Sequence, residues 1–344
     1  MIPNLMAAVG AGAMQGFRAP LFTALIAVMV TYLLTPYVRS VAIHQGAVDD
    51  PAADDRRVHL KPIPRWGGLA IYGGIVVALG VVMPFAYPTT KAFPAYLTSM
   101  LVIAGFLVVV GALDDLYQYK AKIQALVLIL AGVAVQFFYG FIGRVQINTF
   151  GFPIHGTASY IALGAFAVPV TAFYIFVVTK TMDTIDGVDG LAAGIATISA
   201  GTLVVIAVYS GQPRVAIVAA AIAGAALGFL RHNYNPAKIF MGTGGAYVLG
   251  FLMACLSIVG ALKTAAAVSL LIPVLVFGVP MADAFIVIIR RLLSGQPITQ
   301  ADKRHLHHTL LGKGLSQRQT VLILYAAVAT LCAVALFIVR GNHV

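Results

Sequence analysis

No glutamate occurs anywhere in the 344 residues, so all eleven acids are aspartates. Charge of either sign is scarce: 10% of residues are charged against 60% hydrophobic. Soluble domains carry about a quarter charged residues, so water is excluded as the solvent for most of this surface. The two cysteines, Cys255 and Cys332, both lie inside apolar segments. They read as packing residues and exclude a disulfide framework. Residues 1–17 are apolar but lack a cationic head, which argues against a secretory signal peptide. No internal repeat is visible, which weighs against a transporter built from inverted halves.

What is present is a recurrence of apolar stretches near the ~20 residues that cross one hydrocarbon core. The expected spans are 20–38, 67–87, 95–113, 123–140, 159–179, 191–209, 215–230, 244–262, 264–288 and 319–338. Residues 1–17 are a candidate eleventh, partial or interfacial helix. The fold class is therefore all-α: a polytopic transmembrane bundle of about ten spans, forming a single integral-membrane domain over residues 1–344. Pro273 and Pro280 inside the ninth span point to a broken helix, which membranes accept where neighbouring helices recover the freed backbone groups.

Loop charge orients the bundle. All of the 22 basic residues except Arg18, Lys91, Arg144, Arg214, Lys263 and Arg340 fall in the loops after the odd-numbered spans. The positive-inside rule makes that side cytoplasmic and puts both termini outside. The net charge of +11 is thereby accounted for without nucleic acid.

The acids gather on the same side, which topology does not demand. Asp49, Asp50, Asp54 and Asp55 read as solvated loop charge. Asp114-Asp115 closes an apolar span, where adjacent like charges at a membrane edge require compensation. One of the pair would suffice as a helix cap. Asp183, Asp186 and Asp189 recur every third residue in TMDTIDGVDG. Such a cluster suits a hard divalent cation, above all Mg²⁺, which takes one or two carboxylates plus phosphate oxygens. Asp302-Lys303-Arg304-His305-Leu306-His307-His308 has the make-up of a diphosphate grip, while zinc lacks a completing Cys or Glu nearby. A Pro-stiffened basic loop contains Lys61, and the segment NYNPAKIFMGTGG carries Asn233 and Phe240, an amide and an aromatic suited to a base.

Five segments, RRVHLKPIPRWGG, DDLYQYKAKIQ, DTIDGVDGLAAG, GFLRHNYNPAKIFMG and RHLHHTLLGKGLSQRQ, occur in this order at the ends of the spans. Together they resemble the polyprenyl-phosphate N-acetylhexosamine-1-phosphate transferases, glycosyltransferase family 4. The Leu inside HLHH is similar to the undecaprenyl-phosphate N-acetylglucosamine-1-phosphate transferase type. The resemblance implies an Mg²⁺-dependent phosphoglycosyl transferase, with Mn²⁺ as the permitted substitute, and an active site at the cytoplasmic face of the cell membrane. It would move a HexNAc-1-phosphate, most simply GlcNAc-1-phosphate, from a UDP-N-acetylhexosamine to undecaprenyl phosphate. UMP is released and a lipid-linked cell-envelope glycan is begun. Partners implied are those two substrates and membrane lipids, with a homodimer allowed.

Carried over motif by motif, Asp114, Asp115 and Asp186 are the expected catalytic residues, with Asp114 favoured as base. Asp115, Asp183, Asp186 and Asp189 are the expected metal ligands. Lys61, Lys122, Asp189, Asn233, Phe240, Arg304, His305, His307 and His308 are the expected substrate contacts. Two departures stand out. The family usually has asparagine where this chain has Lys180 and Asp183, and an aspartate that ligates metal where it has Thr243. The expectation is that Asp183 replaces the acid missing at 243. The alternatives are a membrane transporter or flippase, and a relative that binds substrate without turnover.

Overall fold

In a computed structural model the chain is described over residues 2–50, 62–137, 145–154, 157–261, 277–293 and 305–341. The order is α1 (Ile2–His44), β1 (Val48–Asp49), β2 (Ile63–Pro64), α2 (Gly67–Ala86), α3 (Ala95–Tyr117), α4 (Ala121–Phe137), β3 (Thr149–Ile154) and β4 (Thr157–Ala162). It continues through α5 (Ala167–Ile185), α6 (Leu191–Tyr209), α7 (Pro213–Asn233), α8 (Gly242–Ala261), α9 (Gly278–Leu293), α10 (Leu306–Gly312) and α11 (Gln317–Gly341). Among the described residues, eight helices are long and apolar enough to cross a membrane, and α4 is a shorter apolar helix. The chain is a polytopic helical membrane protein.

Three boundaries differ from the sequence expectation. Residues 2–17 are no separate helix, because α1 runs unbroken for 43 residues through Pro20 and Pro36. At 1.5 Å per residue it is about 65 Å long, roughly twice a hydrocarbon core. The fifth span begins late: residues 149–154 and 157–162 form two antiparallel strands, Thr149 facing Ala162 and Ile154 facing Thr157. Their β-branched and aromatic residues favour the pleat, and the helix starts beyond a short 3₁₀ turn at Gly164–Phe166. The expected ninth span, Pro273 included, lies largely outside the described residues. Pro280 falls in the first turn of α9, where a missing N–H breaks no helical hydrogen bond.

The packing follows from small residues. α7 buries an alanine-rich face, including Ala216, Ala219, Ala220, Ala221, Ala225 and Ala226, against α1, α2 and α6. α8 is buried along its length between α3 and α5. Where α2, α3 and α8 converge, backbones nearly touch. A Cβ on Gly111 would lie 2.3 Å from Gly244 Cα, and one on Gly68 would lie 2.2 Å from Gly245 N. Small residues allow helices in a membrane to approach this closely. The approach brings the end of α3, which carries Asp114 and Asp115, against the start of α8.

Candidate active site

The end of α3 is shaped by Asp114. Gln118 adopts a left-handed conformation, with φ 50°, and its N–H bonds the Asp114 carbonyl at 2.8 Å. The Asp114 side chain then accepts the next free N–H, that of Tyr119, at 3.0 Å. Gln124, on the first turn of α4, donates Nε2 to both Asp114 oxygens at 3.0 Å. Thr243 donates its hydroxyl to Oδ2 at 2.9 Å. Four hydrogen bonds thus hold a carboxylate only 6% exposed. All of them donate to it.

Asp115 is the opposite case. It is 7% exposed, and Oδ1 accepts the Thr243 backbone N–H at 3.1 Å with the Arg65 guanidinium 3.7 Å away. Oδ2 is buried and has no hydrogen-bond partner among the described residues. It rests in the space left by Gly242, whose φ is +69° and whose Cβ, if present, would meet Oδ2 at 2.2 Å.

Arg65 reaches this point through a short ladder. β1 and β2 pair Asp49 with Ile63, and Arg65 N–H bonds the Ala47 carbonyl at 2.8 Å. Its guanidinium also pairs with Asp49. Asp49, only 6% exposed, is therefore no solvated loop charge. The ladder folds it inward onto a cation. Asp50 is exposed, and Asp54, Asp55, Lys61, Asp302 and Arg304 lie outside the described residues.

The three acids after α5 have separate partners. Asp183 Oδ2 accepts from Lys180 Nζ at 2.6 Å, and the same ammonium donates to Gln124 Oε1 at 2.8 Å. Asp189 Oδ2 accepts from Asn235 Nδ2 and Ala237 N, both at 3.0 Å, and so clamps the 234–238 loop. Asp186, at the C-cap of α5, has its pKa raised well above the usual carboxylate range. Burial is the main cause, followed by the charges of Asp183 and Asp115, with Arg65 opposing.

The structure also places the expected substrate residues. Asn233 is buried, accepts Gly190 N–H at 3.1 Å and donates to the Ile239 carbonyl at 3.1 Å. Its amide thereby ties the turn before α6 to the loop before α8. Phe240 is half-buried, and its backbone joins Pro64 and Gly67. Lys122 is exposed on α4. His305 Nδ1 meets Asp283 Oδ2 at 2.9 Å, and Asp283 Oδ1 accepts Leu306 N–H at 2.7 Å. His307 stacks on His305, with ring centroids 5.8 Å apart, and its Nε2 lies 3.0 Å from where a Cβ on Gly187 would stand. The histidine run thus abuts the Asp186–Asp189 turn. Burial lowers the His307 pKa to about 4, and His308 adds to the effect.

Gln124 and Arg65 are members of this cluster that were not singled out from the sequence, while Thr243 stood out there only as a departure from the family. For both a signal existed: Arg65 sits in the first motif and Gln124 closes the second.

Among the described residues no three His, Cys, Asp or Glu side chains converge as a ready metal cage. Mg²⁺ asks for less, one or two carboxylates with phosphate oxygens completing the shell. Asp186, crowded by Asp183, Asp115 and Asp189, and Asp183 fit that smaller demand.

Comparison with known proteins agrees with this arrangement. Residues 96–261 match the model of glycosyl transferase family 4. A Bacillus subtilis (strain 168) protein named "Probable undecaprenyl-phosphate N-acetylglucosaminyl 1-phosphate transferase" is 38% identical over 88% of this chain and 80% of its own. The decaprenyl-phosphate N-acetylglucosaminephosphotransferase of Mycolicibacterium smegmatis is 33% identical over 91% of this chain and 80% of its own. The Escherichia coli (strain K12) undecaprenyl-phosphate alpha-N-acetylglucosaminyl 1-phosphate transferase is 28% identical over 89% and 80%. With such identity over most of both chains, and the motif acids drawn to one end of the bundle, the protein belongs to glycosyl transferase family 4.

Proposed function

We propose that the protein transfers N-acetylglucosamine 1-phosphate from UDP-N-acetylglucosamine to undecaprenyl phosphate, releasing UMP. The relatives' names supply the acceptor and the transferred group. The observation that carries the reading is the asymmetry of the aspartate pair. Asp114 has its oxygens occupied by four hydrogen bonds from three donor groups, whereas Asp115 keeps one buried oxygen unengaged. The family resemblance favoured Asp114 as base; the unengaged Oδ2 supports reading Asp115 in that role instead.

In the proposed reaction an oxygen of the lipid phosphate attacks the β-phosphorus of the nucleotide sugar. The new P–O bond forms as the bond to the oxygen bridging the α- and β-phosphates breaks, and UMP leaves with that oxygen. Asp115 Oδ2 accepts the proton when the lipid phosphate arrives monoprotonated. Asp114 keeps the end of α3 and the start of α8 in register through Thr243. Arg65 balances charge beside Asp115. Mg²⁺, when bound, supplies neutralisation of the diphosphate, and Asp186 with Asp183 would hold it. The site is assigned to the cytoplasmic face of the cell membrane, with both termini outside, by the loop basic charge.

The transporter alternative gains no support: apart from Asp283, within α9, the described carboxylates sit in loops or at helix ends, not along a path across the bundle. UMP release by purified protein tests the function. It should require UDP-N-acetylglucosamine, undecaprenyl phosphate and Mg²⁺ together; release with the lipid omitted would contradict it.

A further inference from the structure

One chain of polar contacts crosses four helices of the site. Asp183 and Lys180 on α5 join Gln124 on α4, then Asp114 on α3, then Thr243 on α8. Its only charged donor is Lys180. With Oε1 of Gln124 accepting from Lys180, Nε2 faces Asp114 and donates to both its oxygens. The ammonium carries three N–H groups. Asp183 and Gln124 take two, and among the described residues the third has no partner. The Lys180 side chain is 33% exposed. A compact ammonium on a flexible stem is a point-charge binder of phosphate.

We propose that Lys180 is a resident cation of the phosphate site. Its third N–H takes an oxygen of the substrate diphosphate, and its charge, paired with Asp183, weakens the hold of the same carboxylates on a divalent metal. The inference rests on the transferase reading only for the identity of the diphosphate.

The test uses full-length protein in lipid nanodiscs and two binding measurements that need no turnover. Mn²⁺ binding is followed by electron paramagnetic resonance without nucleotide, and UDP binding by calorimetry in EDTA. Lys180→Met should weaken UDP binding about tenfold, the loss of one charged hydrogen bond, and should tighten Mn²⁺ binding several-fold. Lys180→Arg should keep both affinities within about threefold of wild type, by retaining the charge. Lys180→Gln, neutral but able to bond Asp183, should behave as Lys180→Met and serves if the methionine variant does not fold. A purely structural lysine would lower the melting temperature without tightening Mn²⁺. Unchanged or weaker Mn²⁺ affinity in the neutral variants, unchanged UDP affinity, or no metal-free UDP binding by wild type would each overturn the proposal. Absence of UMP release by wild type would instead overturn the transferase reading and leave these readouts intact.

Discussion

Thr243 holds Asp114 by its hydroxyl, at 2.9 Å, while its backbone N–H holds Asp115 at 3.1 Å. One residue at the start of α8 thus fixes both members of the pair, the first by side chain and the second by main chain. The position where the family resemblance leads one to expect an acid is here a donor. Thr243→Val keeps the shape and the backbone bond but removes the hydroxyl. A hydrogen bond to a charged group contributes about 1.5–3 kcal/mol, so UMP release should fall about tenfold to a hundredfold, with Thr243→Ser close to wild type. Steady-state kinetics of the two variants decides; equal activity in both would show that the hydroxyl is idle.

Gly242 makes room for the unengaged oxygen of Asp115. Gly242→Ala sets a methyl 2.2 Å from Oδ2 at a φ of +69°. The left-handed conformation alone costs about 1–2 kcal/mol, and the carboxylate must turn away. Activity should fall at least about a hundredfold, with the protein still folded by thermal melting. Retained activity would mean that the position of Oδ2 is unimportant.

Asp189 is expected to behave unlike its neighbours. Its Oδ2 serves Asn235 and Ala237, and an asparagine carbonyl can accept the same two bonds. Asp189→Asn should therefore keep activity within about tenfold and leave Mn²⁺ affinity unchanged. Asp186→Asn should weaken Mn²⁺ binding. Parallel metal titrations separate the two, and a loss of metal affinity in Asp189→Asn would restore it as a ligand.

His307 sets an acid limit on stability. Its folded pKa is lowered from 6.5 to about 4, so between those values the unfolded chain binds more protons than the folded one. Stability therefore rises with pH across this window, and the contribution is lost as pH falls from about 6.5 towards 4. The full effect is about 3 kcal/mol, with His308 and His305 adding to it and Asp283 opposing it beside the ring. Melting temperatures from pH 4 to 7 should fall more steeply on acidification in wild type than in His307→Gln. Identical slopes would contradict the assignment.

The helical membrane class, the order of the spans and the Asp114–Asp115 pair were legible because composition and adjacent acids are local signals. The inward turn of Asp49 was not. It depends on a two-residue ladder closed across a loop, and nothing in the run of acids distinguishes Asp49 from Asp50. Asp189 matched the motif but spends its oxygen on the 234–238 loop, a pairing 46 residues and more away in sequence that only the packing of α7 and α8 discloses. The length of α1 escaped for a different reason: the expected first span, 20–38, covers only part of one continuous helix that runs through Pro20 and Pro36. The role of Gln124 was not legible because it comes from what surrounds the residue, a carboxylate on one side and an ammonium on the other.

The central claim is that Asp115, not Asp114, supplies the reactive carboxylate. UMP release from UDP-N-acetylglucosamine with undecaprenyl phosphate and Mg²⁺, measured against pH for Asp115→Asn and Asp114→Asn, tests it most directly. Asp115→Asn should lose at least about a thousandfold in kcat and the acidic limb of the pH profile, a base contribution of the usual size. Asp114→Asn, which keeps a carbonyl oxygen for Tyr119 while its amide can donate to the Thr243 hydroxyl, should lose less and keep that limb. The reverse ranking, with the acidic limb surviving in Asp115→Asn and vanishing in Asp114→Asn, would contradict the account.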